Sequence, residues 1–197
     1  RITGKYRKQL QKAFGYTWEN YKDSILQMAL TGSESIGSMG VDTPIAALSD
    51  EYQPLFYYFK QLFAQVTNPP IDAQREEIVT SRTIYVGKNG NLLEEKPENC
   101  HVLKIRNPLL TDLDLLKIEH MKQEGFKVSR VSTLYYKSTP MDKVLKSLFL
   151  QVDKAYRDGA DILILSDRGV DENHVAIPSL LAVSAVEQHL ISTRKRT

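Results

Sequence analysis

The 197-residue sequence predicts an α/β fold. A helical segment and a β-hairpin come first, followed by parallel β-α units too few to close an eight-stranded barrel. Three observations carry this. Apolar residues in the first third recur at helical spacing. Residues 83–93 place two short apolar runs around an Asn-Gly turn. From Pro108 onward helical and extended stretches alternate, with Gly125 and Gly159 where helix ends favour glycine.

In chain order, Thr17 is a cap for a helix carrying Trp18, Tyr21, Ile25, Met28 and Ala29, closed by Gly32. Pro54 opens a second, in which Leu55, Phe56, Tyr58, Phe59, Leu62 and Phe63 leave almost no polar face. Such a helix needs cover on several sides. Asp72 caps a third helix over residues 74–80, with Glu76 and Glu77 near its positive end. Thr83-Ile84-Tyr85-Val86 then runs into Gly87-Lys88-Asn89-Gly90-Asn91 and Leu92-Leu93, the pattern of a hairpin. Residues 101–106 read as a strand. Beyond Pro108, residues 111–124, 141–158 and 178–191 read as helices, and 127–135 and 162–165 as strands. Strands separated by helices predict parallel pairing with right-handed crossovers. The expected organisation is one domain over residues 1–197, mainly helical and connecting over 1–82, with the hairpin and β-α units over 83–197.

Composition narrows the function classes. Lys+Arg 26 against Asp+Glu 24 leaves a net charge of +2, too balanced to favour nucleic acid or an anionic membrane. The one local basic cluster, Arg194-Lys195-Arg196, reads as a solvated helix end. Apolar runs fall far short of the ~20 residues of a membrane span, and the first residues lack an apolar signal core. Cys100 is the only cysteine, so an internal disulfide is excluded and a reducing, cytoplasmic setting is expected. It reads as structural at a strand entrance, because His101 beside it points to the opposite face. His101, His120, His174 and His189 show no metal-ligand spacing, and no metal site is expected. Neither a Walker-type loop nor a G-x-S-x-G or G-x-G-x-x-G motif occurs, and Ser38 has no identifiable base, so no catalytic residue is assigned.

Three segments stand out. In Ala64-Gln65-Val66-Thr67-Asn68-Pro69-Pro70-Ile71-Asp72, adjacent prolines fix two φ angles, remove two donors and push Asn68 out of helical geometry. A stretch this stiff holds a fixed extended path. In Gly37-Ser38-Met39-Gly40-Val41-Asp42-Thr43-Pro44, two glycines bracket Ser38 and Met39. In the third, Ser166-Asp167-Arg168-Gly169 follows a near-continuous apolar strand, at the carboxyl edge where β/α folds place ligand contacts. There Arg168 either holds an anion or pairs with Asp167, Asp171 or a neighbouring domain while Asp167 organises the turn. The loop lacks the glycine-rich run of N–H groups that cradles phosphate, which favours the pairing.

Read in order, GSMGVDTPIAALSD, FAQVTNPPIDAQREE, GKNGNLLEE and LILSDRGVDENHVAIPSLLAVSAVEQHL closely resemble the central domain of the glutamate synthase large subunit. The resemblance runs from about Tyr6 to the last residues. It implies that the β-α units are a rudimentary relative of a flavin-binding barrel. The fold class is thus α/β, with incomplete barrel-like parallel β-α units preceded by a helical segment and a β-hairpin. It also implies a piece of a longer enzyme of glutamate biosynthesis and nitrogen metabolism. That enzyme is an oxidoreductase converting glutamine, 2-oxoglutarate and two electrons to two glutamates. The piece would link a glutamine amidotransferase domain to an FMN-binding synthase domain, with FMN and an iron–sulfur cluster held by the neighbours and no cofactor or catalytic group here. Ser38, Met39 and Gly40, with Thr67, Asn68, Pro69, Pro70 and Ile71, are implied as this domain's part of an ammonia tunnel or interdomain wall. Small residues give room, apolar ones exclude bulk water, and hydroxyls and carbonyls offer stepping stones; Pro69 and Pro70 present carbonyls without competing donors. Two other readings stay open. One is a stand-alone small α/β binding protein or enzyme using Asp167 and Arg168 for a phosphorylated ligand. The other is a pure interdomain scaffold.

Overall fold

The computed structural model describes residues 4–33, 35, 48, 50, 54–59, 63, 71–91 and 93–196. It divides into two compact units, Arg1–Asp72 and Ala73–Thr197.

In the first unit, helix α1 (Gly4–Ala13) leads to Thr17. The Thr17 N–H donates to Asn20 Oδ1 at 2.9 Å and the Asn20 N–H to Thr17 Oγ1 at 3.3 Å, a reciprocal start for the next helix. The chain then passes through a π-helical stretch, Asn20–Ile25, into α2 (Leu26–Thr31). Gly32, at φ 67°, stops it. Cap and stop stand where the sequence puts them; the wider turn between them was not foreseen. After Pro54, a 3₁₀ turn covers Leu55–Phe59. No described residue of this unit is buried, and Trp18, Leu30 and Phe59 are 73%, 74% and 72% exposed.

The second unit begins with α3 (Ala73–Val79). Strand β1 (Ile84–Val86) pairs antiparallel with β2 (Leu103–Ile105) in the register Ile84↔Ile105, Tyr85↔Lys104, Val86↔Leu103. This corrects the predicted hairpin. An antiparallel pair forms, but Leu93 lies in a turn and Leu92 outside the described residues, and the partner strand comes ten residues later. The Asn99 side chain ties the intervening loop by donating to the carbonyls of Asn91 (2.8 Å) and Glu94 (2.7 Å).

Helix α4 (Asp112–Glu119) starts in a full capping box between Thr111 and Asp114. It ends five residues before the predicted 124, with His120 leaving helical geometry. Strand β3 (Val128–Ser132) pairs in parallel with β5 (Ile162–Ser166), register Val128↔Ile162 to Ser132↔Ser166. The connection between them carries β4 (Leu134–Tyr136) and the long helix α5 (Met141–Arg157). Strand β6 (His174–Ala176), not foreseen, pairs antiparallel with β4, and α6 (Ser179–Ser192) follows. The described strands make three two-stranded sheets; a closed barrel is not formed among the described residues.

The core lies in this half. Val144, Leu148, Val152 and Ala155 repeat at helical spacing along α5 and pack with Val131 of β3, Ile177, and Ala182 and Val186 of α6. Leu148 and Val152 are the most deeply buried. Burying a side chain of this size contributes roughly 1.5–3 kcal/mol. The only buried polar residue among those described, Thr133, is satisfied: its N–H and hydroxyl both donate to the Ser166 carbonyl, at 2.9 and 3.1 Å.

The terminal basic cluster is not merely solvated. Lys195 Nζ lies 2.5 Å from Asp153 Oδ1 on α5, and His189 Nε2 lies 2.8 Å from the same oxygen while its ring stacks on Phe149. Lys195, then His189, hold the Asp153 carboxyl below its ordinary pKa. Arg196 pairs with Glu187 at 2.6 Å. Among the described residues, no helix is long and apolar enough to cross a membrane.

Candidate functional site

The carboxyl end of β5 is where the sequence places chemistry. Its last residue, Ser166, accepts from the Arg168 N–H through Oγ at 3.4 Å. Gly169 turns the chain at φ 103°, a conformation that disfavours a side chain, and an added Cβ would sit 3.2 Å from Leu134 Cδ1. The turn thus aims Arg168 away from the sheet and toward α4.

Arg168 Nη2 meets Asp112 Oδ1 at 2.5 Å, 56 residues earlier in the chain and at the first position of α4. The Asp112 carboxylate, hydrogen-bonded to the guanidinium, raises the Arg168 pKa, with Asp167 a weaker contributor of the same sign. A second pair, Arg130 Nη2 to Glu119 Oε2 at 2.7 Å, ties β3 to the other end of the same helix. Both arginines therefore clamp α4 across the strands. The predicted pairing partners, Asp167 and Asp171, are not the ones the guanidinium contacts. Only folding could bring Asp112 there; the legible signal was the Thr111-x-x-Asp114 cap, which fixes the start of α4 and puts a charge at its first position.

The loop beyond is ordered by Asp171. Its Oδ1 accepts from the N–H groups of Asn173 (2.8 Å) and His174 (2.7 Å), and the His174 ring Nδ1 lies 3.0 Å away. These donors, Asn173 first, hold its pKa down from 3.8 to about 2. Lys137 fastens the same loop, its N–H donating to Asn173 O at 2.9 Å and its Nζ to Glu172 O at 3.0 Å.

The other predicted site residues divide differently. Ser38, Met39, Gly40, Thr67, Asn68, Pro69 and Pro70 lie outside the described residues. Ile71 is described and half-buried, just ahead of α3. Among the described residues, no three His, Cys, Asp or Glu side chains converge as metal ligands would. Cys100 is exposed and single in the chain, so the donor set does not fit an iron–sulfur cluster, which needs several thiolates.

Residues 9–197 match the family described as glutamate synthase central domain. The chain is 43% identical over 187 residues to the glutamate synthase [NADPH] large chain of Bacillus subtilis, covering 95% of this chain and 12% of that protein. It is 44% identical over 193 residues to ferredoxin-dependent glutamate synthase 2 of Synechocystis, covering 93% and 12%. Against glutamate synthase [NADH] of Saccharomyces cerevisiae the identity is 40% over 194 residues, covering 94% and 9%. The chain thus spans about a tenth of the length of these relatives.

Proposed function

This chain belongs to the glutamate synthase central-domain family, and from that membership we propose that it is the connecting domain of a glutamate synthase that lines part of the path of ammonia. In the proposed reaction, glutamine, 2-oxoglutarate, two electrons and two protons give two glutamates. Glutamine hydrolysis and reductive use of ammonia occur in separate domains of the longer protein, a glutamine amidotransferase domain and an FMN-binding synthase domain. FMN and the iron–sulfur cluster supply the electron chemistry there, and no catalytic residue is assigned to this chain. The barrel-like character of the β3-α5-β5 unit, the single-domain organisation over residues 1–197 and a cytoplasmic setting belong to the same proposal.

The observation that carries it is the unburied first unit. Trp18, Leu30, Phe56, Tyr58, Phe59 and Phe63, on either side of the Gly37–Gly40 segment in sequence, are all more than half exposed. An apolar surface on this scale calls for cover by other parts of a longer protein. Between such surfaces water is excluded, and a small neutral amine is kept from protonation and loss. Ammonium has no lone pair with which to attack a keto carbon, so exclusion of water preserves the reactive form. Ser38, Met39, Gly40, Thr67, Asn68, Pro69, Pro70 and Ile71 are the proposed wall. Arg168 is assigned to holding α4 rather than to a phosphorylated ligand, because its Nη2 already pairs with Asp112, and an interdomain contact of Asp167 and Arg168 stays part of the proposal.

The test is the pair Thr67→Val and Ile71→Trp in the full-length enzyme. Glutaminase turnover is expected to hold while glutamate formed per glutamine hydrolysed falls. Equal losses in both activities would reduce the residues to packing.

A further inference from the structure

A recess of about 230 Å³ opens beside α5 in the second unit, near the carboxyl end of β3. Lys143, Ser147 and Gln151 line one wall, four residues apart and so on one face of the helix. Ser132, Tyr135, Tyr136 and Thr139, from the end of β3 through β4 and the turn after it, also line it, and Leu134, Val144, Leu148 and Ile177 supply apolar surface. The place is general for ligands in β/α folds, which collect at the carboxyl edge of parallel strands.

The lining has a definite chemistry. Lys143 is its only charged side chain, and no carboxylate contributes. Two lysines close to it in sequence are engaged: Lys146 with Asp142 at 3.8 Å and Lys137 with Glu172 O. Among the described residues, the side chains of Lys143, Tyr135, Thr139, Ser147 and Gln151 make no hydrogen bond or ion pair with protein. Lys143, Ser147 and Gln151 are solvent-exposed and able to turn toward a ligand, and polar groups gathered over an apolar floor are the composition of a small-molecule site.

From this lining we propose that the recess binds a small monocarboxylate bearing hydroxyl or keto oxygens. Lys143 holds the carboxylate, and the hydroxyls and the Gln151 amide meet the remaining oxygens. One cation matches one negative charge. A dianion, which inorganic phosphate mostly is at pH 8, would be under-compensated there, and an amino acid's ammonium would find no carboxylate partner. The volume lies below the ~300–1,000 Å³ of sites for drug-sized ligands, so the ligand is small. This site is independent of the proposed passage of ammonia.

Lactate is the probe, titrated into the full chain carrying ¹³C-labelled Ile, Leu and Val methyls and followed by NMR. Saturable shifts are expected at Leu134, Val144, Leu148 and Ile177. Lys143→Gln, at an exposed position and with the methyl spectrum itself reporting the fold, should weaken binding about two- to fivefold, the size of a solvent-screened charge contact. Lys146→Gln should leave it unchanged. Absence of saturable shifts would overturn the proposal. Equal effects of the two lysine variants, or alanine or inorganic phosphate binding as tightly as lactate, would overturn it equally.

Discussion

Arg168 and Asp112 meet at 2.5 Å although 56 residues separate them, and the contact joins the carboxyl end of β5 to the first turn of α4. The two side chains are 60% and 82% exposed, so solvent screens the attraction. Asp112→Asn should therefore lower the melting temperature only slightly at low ionic strength, and the difference should vanish near 1 M salt, where the Debye length is about 3 Å. Thr111→Ala removes the cap itself and should cost about 1 kcal/mol at any salt. Thermal melts of both variants at two salt concentrations separate the ion pair from the cap.

The core of the second unit makes a sharper contrast. Leu148 is 1% exposed, whereas Leu150, two residues away on the same helix, is 69% exposed. Leu148→Ala should destabilise by about 2–5 kcal/mol, and Leu150→Ala by no more than about 0.5 kcal/mol. Urea midpoints at constant slope measure both.

Arg194 ends α6 at φ 55°, the only non-glycine residue at positive φ among those described. Lys195 and Arg196 then donate their N–H groups back to Leu190 O, at 2.8 and 3.3 Å. Glycine adopts this conformation without the steric cost of Cβ. Arg194→Gly should raise stability by about 1 kcal/mol, read as a higher urea midpoint.

The Asp171 carboxyl sets a pH dependence with a definite sign. Its folded pKa of about 2 lies below the ordinary 3.8, so its contribution is complete above about 4 and disappears as pH falls toward 2. A ¹³C titration of Asp171 should show a midpoint near 2. Asp171→Asn should speed amide exchange at Asn173 and His174 at neutral pH, because a neutral acceptor binds those N–H groups less tightly.

The second unit was legible where local rules decide. The Val144-Leu148-Val152 spacing, the apolar run of β5 and the Thr111 cap each fix an element without help from distant residues. What was not legible depends on distant partners. β6 exists because Val175 and Ala176 meet Tyr135 and Leu134, and the strand read at residues 101–106 was legible by itself while its antiparallel pairing with β1 was not. Arg168 shows the same limit at the site. A guanidinium with Asp167 and Asp171 close by in sequence has no reason there to choose Asp112; the positions of α4 and β5 choose for it. Lys143, Ser147 and Gln151 could have been seen as a polar row beside the buried row of α5, but the tyrosines that line the same recess come from a strand whose pairing is long-range.

The central claim is that this chain walls a closed route for ammonia, and retention of isotope tests it most directly. The full-length enzyme receives glutamine labelled with ¹⁵N at the amide, 2-oxoglutarate, reductant and excess unlabelled ammonium. Parent enzyme should pass ¹⁵N undiluted into the new amino group. The Thr67→Val, Ile71→Trp variant should hydrolyse glutamine normally yet release labelled ammonium and form less labelled glutamate. Full retention and full yield in the variant would contradict the account.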